Sequence, residues 1–452
     1  MSATALDRLD RRPSRRLGLF AFAAVLVLST ACAHHSPDLT VRGAYQFEDG
    51  RLMTVAPSEG DTLRYRDLDS GRSQRLYPAG PRTYQAGPGW ASPSPVELEV
   101  RFQGDGPRVN GLEWLPKTGA AERAEKLQLR EEPMTFRSGD LTLSGRLVLP
   151  PGDGPHPAVV LVHGSERDAA TVYYHEPYVF ASQGIATFVY DKRGTGGSEG
   201  KFVMNFDKLA DDALAALERV RQHPAIDPAR VGLCGSSQGG WIAPLATTRS
   251  DAVRFVLVRY GLAESPAQED RNEALDGLRA KGHGEEEIRK AEEVVAAVHG
   301  VLRSRLGGGW RELKAVKRKY KGEPWLRDLQ GEITGAFVRY PAWILRTYGR
   351  PRILGIELDW FYEPGPVLER VDVPLLWMIG GKDEEAPPEV TLATLRRLQA
   401  AGRPVEVELF PDADHGILEF EVQDGRRVYT RYAPGYFRSQ VEWVRRQVGL
   451  EP

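Results

Sequence analysis

Residues 230–234 (RVGLC) run directly into Gly235-Ser236-Ser237-Gln238-Gly239 and then into residues 240–246 (GWIAPLA), and the reading of this stretch decides the fold. A short apolar run, a G-x-S-x-G turn and a plausible helix start follow one another in that order. Such a corner lifts a serine hydroxyl clear of the backbone, and side chains two positions to either side would collide there. Both flanks must then be glycine, as Gly235 and Gly239 are. The corner also sets the helix N-terminus and the Gln238 backbone N–H beside the serine, where a developing oxyanion needs donors. The same expression recurs at Gly196-Gly197-Ser198-Glu199-Gly200, but there Asp191-Lys-Arg-Gly-Thr-Gly replaces the apolar strand. Ser237 is therefore the candidate nucleophile in preference to Ser198. Nor is the second glycine cluster a P-loop, because Lys201 is followed by Phe202 and Thr195 stands where the first glycine belongs.

Outward from the corner, short apolar runs recur at residues 158–162 (AVVLV), 185–190 (IATFVY), 253–258 (VRFVLV), 375–379 (LLWMI) and 405–410 (VEVELF), with helical stretches between them. Runs of this length, alternating with helices, predict an α/β fold with a mainly parallel sheet covered on both faces. Residues 136–149 read as two antiparallel strands turning at Ser138-Gly139-Asp140. The spacing breaks over residues 264–359, where one crossover helix would suffice, so this segment is expected to be an inserted helical cap. Residues 285–306 and 311–321 are charged and helical in period, separated by Gly307-Gly-Gly. The aromatics scattered through it, Trp310 and Trp325 among them, read mainly as core.

Before the sheet, residues 40–114 show extended runs at period two with glycine-bearing turns, such as Val96-Glu-Leu-Glu-Val-Arg-Phe102 before Gly104-Asp-Gly. This is the pattern of antiparallel strands. The expected organisation is a small N-terminal antiparallel β domain at 38–117, a polar linker at 118–128, and a catalytic α/β domain at 129–452 containing the cap.

A serine nucleophile of this kind needs an acid and a histidine after it in the chain. Three histidines follow Ser237: His283 and His299 in charged stretches of the cap, where a solvated histidine is the ordinary expectation, and His415 in Phe410-Pro-Asp-Ala-Asp-His-Gly416, directly after a strand. Gly380-Gly-Lys-Asp383-Glu-Glu follows the strand at 375–379, and Asp412 and Asp414 lie beside the histidine.

Together with Leu161-Val-His-Gly-Ser165 and Tyr190-Asp-Lys-Arg-Gly-Thr-Gly-Gly-Ser198, these segments resemble the α/β-hydrolase superfamily, within it the dienelactone-hydrolase and prolyl-oligopeptidase-like esterases and peptidases. The likeness covers roughly residues 133–448. It implies His415 as general base and Asp383, through the G-x-x-D pattern, as the acid that orients it. It implies an oxyanion hole from the backbone N–H groups of Gln238 and Ser165, with Gly164 shaping the second turn, and it implies that Asp191 and Arg193 brace a structural loop. Dienelactone hydrolases carry cysteine at the elbow; here that position is serine, so Cys234 reads as a buried structural thiol. The activity implied is hydrolysis of a carboxylic ester through an acyl-enzyme, without metal or cofactor. A peptidase is the alternative, and cap-borne acids able to grip a free amine would favour an aminopeptidase. The N-terminal β region shows no blade repeat, which excludes a propeller. An acyl thioesterase and a non-catalytic binding protein rank below these.

Composition sets the remaining limits. The chain has 452 residues, 41% hydrophobic and 27% charged, which is globular composition at a length expected to hold more than one domain. The formal charge of -2, or -5 without residues 1–31 and their five arginines and two aspartates, offers nothing to nucleic acid. Two cysteines exclude a disulfide scaffold. Residues 11–16 (RRPSRR) and 17–28 (LGLFAFAAVLVL) read as the basic and apolar parts of a signal peptide at 1–32. Ser29-Thr30-Ala31-Cys32 resembles a bacterial lipobox, which implies lipidation of Cys32 and a membrane-anchored exported lipoprotein; cleavage at Ala31-Cys32-Ala33 would instead release a soluble periplasmic or secreted protein. The expected partner is a small acyl ester or short peptide, with membrane contact only through the anchor, and the sequence leaves the oligomeric state open.

Overall fold

The period-two alternation near the N-terminus folds into β1 (Gly43–Phe47), β2 (Leu52–Pro57), β3 (Leu63–Asp67), β4 (Ser73–Gly80), β5 (Thr83–Ala86), β6 (Leu98–Gln103), β7 (Gly111–Pro116) and β8 (Glu122–Lys126). In this computed structural model, which describes residues 38–58 and 62–451, each strand pairs antiparallel with the next and β1 pairs with β8, so the sheet closes into a barrel. Tyr45, Val55, Leu76, Val100 and Phe102 fill its interior. Closure leaves no unpaired edge. Residues 118–128, expected as a linker, contain β8. Only Ala124 of that strand is fully buried, so its polar composition hides a strand whose other side chains are exposed or half-buried.

The sheet expected from the apolar runs has eight strands in the order β16-β15-β14-β13-β11-β12-β10-β9. These are β9 (Arg130–Ser138), β10 (Leu141–Leu149), β11 (His156–Val162), β12 (Ala186–Tyr190), β13 (Ile226–Ser236), β14 (Val256–Arg259), β15 (Leu375–Gly380) and β16 (Val405–Phe410). From β12 through β11 to β16 all neighbours are parallel, while β9 and β10 form an antiparallel edge. One face packs on α1 (Phe206–Arg221) and α2 (Gly239–Thr247). The other packs on the segment around Phe180 and on the C-terminal helix Tyr436–Gln447. This is the α/β-hydrolase fold with the expected cap and N-terminal antiparallel domain.

The cap comprises Pro266–Ala280, Glu285–Arg303, Trp310–Lys319 and shorter helices to Gly355, built on its own cores around Trp325 and Phe337. After β16 comes a small sheet that the sequence reading did not anticipate: β17 (Ala413–Asp414), β18 (Leu418–Gln423) and β19 (Arg426–Tyr432).

The barrel seats on this small sheet and the C-terminal helix. Trp90 packs on Tyr432 and Tyr429, with ring centroids 5.6 and 6.3 Å apart, while the Arg64 guanidinium lies 4.0 Å over the Trp90 ring. Gly71 accepts a hydrogen bond from the Tyr432 N–H, and a Cβ added there would lie 2.2 Å from the Tyr432 carbonyl oxygen, so the approach admits only glycine. Among the described residues no helix is long and apolar enough to cross a membrane. Residues 1–37, and with them the signal-peptide reading and Cys32, lie outside the described residues.

Candidate active site

Ser237 stands at the corner between β13 and α2 with a positive φ of 50°, where a side chain is strained, and is 8% exposed. The two flanking glycines are sterically obligatory. A Cβ at Gly235 would lie 2.2 Å from the Gly239 carbonyl oxygen, and one at Gly239 would lie 2.3 Å from that of Val162. The Ser237 N–H donates to the Arg259 carbonyl at 3.0 Å, tying the corner to the end of β14. The neighbouring Ser236 hydroxyl is taken up by Arg259 Nη2 at 2.6 Å, and Arg259 itself is ion-paired to Glu176 at 3.0 Å in the core.

Asp383 and His415 meet as the chain order requires. Asp383 follows β15 and His415 follows β17, and His415 Nδ1 lies 2.8 Å from Asp383 Oδ2 with both side chains buried. The other carboxylate oxygen of Asp383 accepts the N–H groups of Glu385 at 3.0 Å and Ala386 at 2.8 Å, which fixes the carboxylate in place. A carboxylate so placed makes Nδ1 the protonated nitrogen of neutral His415 and Nε2 the nitrogen with the accepting lone pair. Burial alone would pull the imidazolium down, but the charges of Asp383 and then Glu385 outweigh it and hold the His415 pKa above its ordinary value.

Ser237 and His415 border the same turn after β14. The Tyr260 ring packs edge-on against His415 at 5.0 Å, while Gly261 lies so close to the Ser237 carbonyl oxygen that a Cβ would come within 3.2 Å of it. On the opposite side, a Cβ at Gly164 would lie 3.4 Å from that of Ser237, so the Gly164–Ser165 turn is set directly against the nucleophile position. Gln238 is the N-cap of α2. Of the residues named from the sequence, Asp383 and His415 are in direct contact, Ser237 borders the Gly164 turn and Gly261, and Gln238 follows Ser237 at the start of α2.

The alternatives separate cleanly. The Ser198 hydroxyl donates to the Asp191 carbonyl at 2.5 Å and accepts the Ser144 N–H at 2.9 Å, so it braces a loop. Asp191 accepts from Thr171 and the Gly197 N–H, and Arg193 holds the buried Asp212 through two bonds of 2.6 and 2.7 Å. Asp414 binds the His415 N–H at 2.8 Å and the Tyr429 hydroxyl at 3.1 Å, which supports the loop without touching the ring nitrogens. His283 pairs with Glu287 and Asp328, and His299 with Asp270, all within the cap. Cys234 is buried, and burial pushes its thiol up to about 11. Among the described residues no three His, Cys, Asp or Glu side chains group as a metal site.

Two features cannot be placed from the sequence, which offers Glu385 only as a neighbour able to substitute for Asp383 and cap acids only in general. Glu385 Oε2 lies 3.9 Å from His415 Nε2. Beyond it the cap contributes carboxylates: burial, then the like charges of Glu332, Asp270 and Glu385, push Glu273 up to about 8. Burial likewise pushes Glu264 up to about 7. Crowded, partly desolvated carboxylates of this kind favour a cation in their midst.

The fold is that of the α/β-hydrolases, and comparisons with known proteins find esterases and peptidases among the chains it resembles. Residues 153–267 match the family described as "Serine aminopeptidase, S33", and residues 361–437 match the "Prolyl oligopeptidase family". Esterase EstD of Thermotoga maritima is 25% identical over 307 residues, covering 64% of this chain and 62% of its own length. Thiohydrolase aneE of Aspergillus aculeatus is 34% identical over 132 residues, covering 29% of this chain and 41% of its own. The chain thus spans less than two thirds of the length of either relative. Among solved structures, an acylaminoacyl peptidase of Pyrococcus horikoshii aligns over 88% of this chain and 56% of its own, at 15% identity and a TM-score of 0.44.

Proposed function

We propose that the chain is a serine hydrolase that cleaves carboxylic esters through an acyl-enzyme on Ser237. The observation that carries this reading is the buried 2.8 Å contact between Asp383 and His415, in chain order behind a serine held in an elbow that only glycine can flank. His415 Nε2 takes the Ser237 proton as Oγ attacks the acyl carbon, and the new oxyanion accepts from the N–H groups of Gln238 and Ser165. The collapsing intermediate expels the alcohol, which receives the proton from His415. Water then repeats the sequence and releases the acid.

The test is labelling of the purified protein with a fluorophosphonate probe. Wild type and Ser198→Ala react and Ser237→Ala does not; a wild type that never labels leaves a non-catalytic binding protein in its place. A second reading, a peptidase acting beside a free amino group, is favoured by the cap carboxylates around Glu273 and Glu264. Turnover of aminoacyl anilides above p-nitrophenyl esters, lost in Glu273→Gln for the cationic substrates alone, selects it. Export and lipidation at Cys32 are proposed on the sequence, and incorporation of labelled fatty acid that disappears in Cys32→Ser tests them.

A further inference from the structure

Behind the proposed oxyanion hole lies a charge that neither the nucleophile nor the base uses. Lys192 is 1% exposed, and its ammonium donates to the Gly164 carbonyl at 2.9 Å and to Gln238 Oε1 at 2.8 Å. The Gly164 carbonyl and the Ser165 N–H belong to one planar peptide unit, with oxygen and hydrogen on opposite sides. Pinning the oxygen from behind therefore aims the N–H forward, and a charged donor on the carbonyl polarises the amide so that its N–H becomes a stronger donor. The second contact holds the side chain of the residue that supplies the other N–H. We propose that Lys192 is a positioning residue that sets both donors of the oxyanion hole, an assignment that rests on the hydrolase reading above.

The surroundings fit a lysine kept there for its charge. Its own N–H donates to His163 Nε2 at 3.2 Å, His163 Nδ1 lies 3.1 Å from Glu166 Oε1, and the Tyr174 hydroxyl donates to the same oxygen at 2.6 Å. His163 thus carries its proton on Nδ1 and links the lysine backbone to a buried carboxylate. Against the upward push of burial, His163 and then Lys192 and Tyr174 hold Glu166 down to about 2. Burial in turn pulls the Lys192 ammonium down to about 7, with Glu166 and Asp212 opposing it. An ammonium that only filled space would be expensive here, since a methionine of similar length removes the desolvation cost.

The experiment compares wild type with Lys192→Met and with the double variant Lys192→Met/Glu166→Gln, which removes both buried charges together and keeps the comparison open if the single variant fails to fold. Each is assayed for kcat and KM on a p-nitrophenyl ester, for inhibition by a boronic acid that forms a tetrahedral adduct on serine, and for thermal midpoint. Loss of one oxyanion donor costs about 10²–10³-fold in kcat. The expected result is a fall in kcat toward that range, KM within about threefold, and a matching loss of boronate affinity. Folded variants that keep kcat and boronate affinity within about threefold of wild type overturn the assignment while leaving the hydrolase reading intact. A wild type that neither labels nor turns over overturns both.

Discussion

Replacing Glu385 by Gln should move the acid limb of the pH–rate profile to lower pH by about one unit. Glu385 Oε2 lies 3.9 Å from His415 Nε2, and its side chain is 33% exposed. Two unit charges at that separation interact by about 1 kcal/mol in bulk water and about 4 kcal/mol at an effective dielectric of ~20. A carboxylate one-third open to solvent belongs toward the weaker end, so about 1–2 kcal/mol is at stake, and each pKa unit is worth about 1.4 kcal/mol. The sign follows from the chemistry: the carboxylate favours the imidazolium, the base must be neutral, and neutralising Glu385 lets His415 lose its proton at lower pH. The profile of kcat/KM for a p-nitrophenyl ester therefore keeps its upper plateau while its acid limb shifts down, and Glu384→Gln, whose exposed carboxylate pairs with Arg427, serves as control. Stability carries the same signature. The raised His415 pKa contributes stability at pH values below the ordinary histidine range and loses it as pH rises through the raised value, so Glu385→Gln is less stable than wild type near pH ~6 and indistinguishable near pH ~9. An acid limb that stays put, or moves upward, refutes the reasoning, as does an equal shift in the control.

Asp383→Asn should lower kcat on the order of 10⁴-fold with the fold intact, because the amide no longer selects the His415 tautomer that accepts at Nε2; steady-state kinetics on the same ester reads it. Arg193→Met leaves the fully buried Asp212 carboxylate without its two-bond partner, and urea denaturation should report a loss of about 3–5 kcal/mol. Trp90→Ala empties the seam between the barrel and the small sheet, and the same measurement should show about 3–5 kcal/mol.

What the sequence disclosed follows from how local each constraint is. The Ser237 elbow is legible because it is a steric demand within five residues: the clashes at Gly235 and Gly239 leave only one residue type at either flank. Asp383 and His415 are named through the family resemblance, from their places after strands, and their side chains meet at 2.8 Å. Barrel closure was hidden, since β8 shows one inward Ala124 and otherwise polar residues, and nothing local says that it returns to β1. The β18–β19 hairpin was legible in principle. Leu418-Glu-Phe-Glu-Val and Arg427-Val-Tyr-Thr-Arg-Tyr flank Asp424-Gly425, both with positive φ, and Asp-Gly between alternating segments is a hairpin signal. Lys192 could not be read from its motif. Its partners lie 28 and 46 residues away, and only folding places them around one ammonium.

The barrel and the catalytic loop share a support. His415 donates its N–H to Asp414, Asp414 receives the Tyr429 hydroxyl and the Arg427 guanidinium, and Tyr429 packs under Trp90 of the barrel. Three contacts therefore separate the barrel from the proposed base, all through the small sheet inserted between β16 and the C-terminal helix. A domain joined only by a tether would leave the His415 loop to be held by the sheet alone. Here the face that excludes water from the seam also fixes the hairpin whose Tyr429 and Arg427 occupy the Asp414 carboxylate, and that carboxylate sets the backbone from which His415 reaches Asp383. Weakening the seam at Trp90 should therefore loosen the proposed base as well as the barrel, which makes the small sheet a support for the candidate site and not an ornament on its edge.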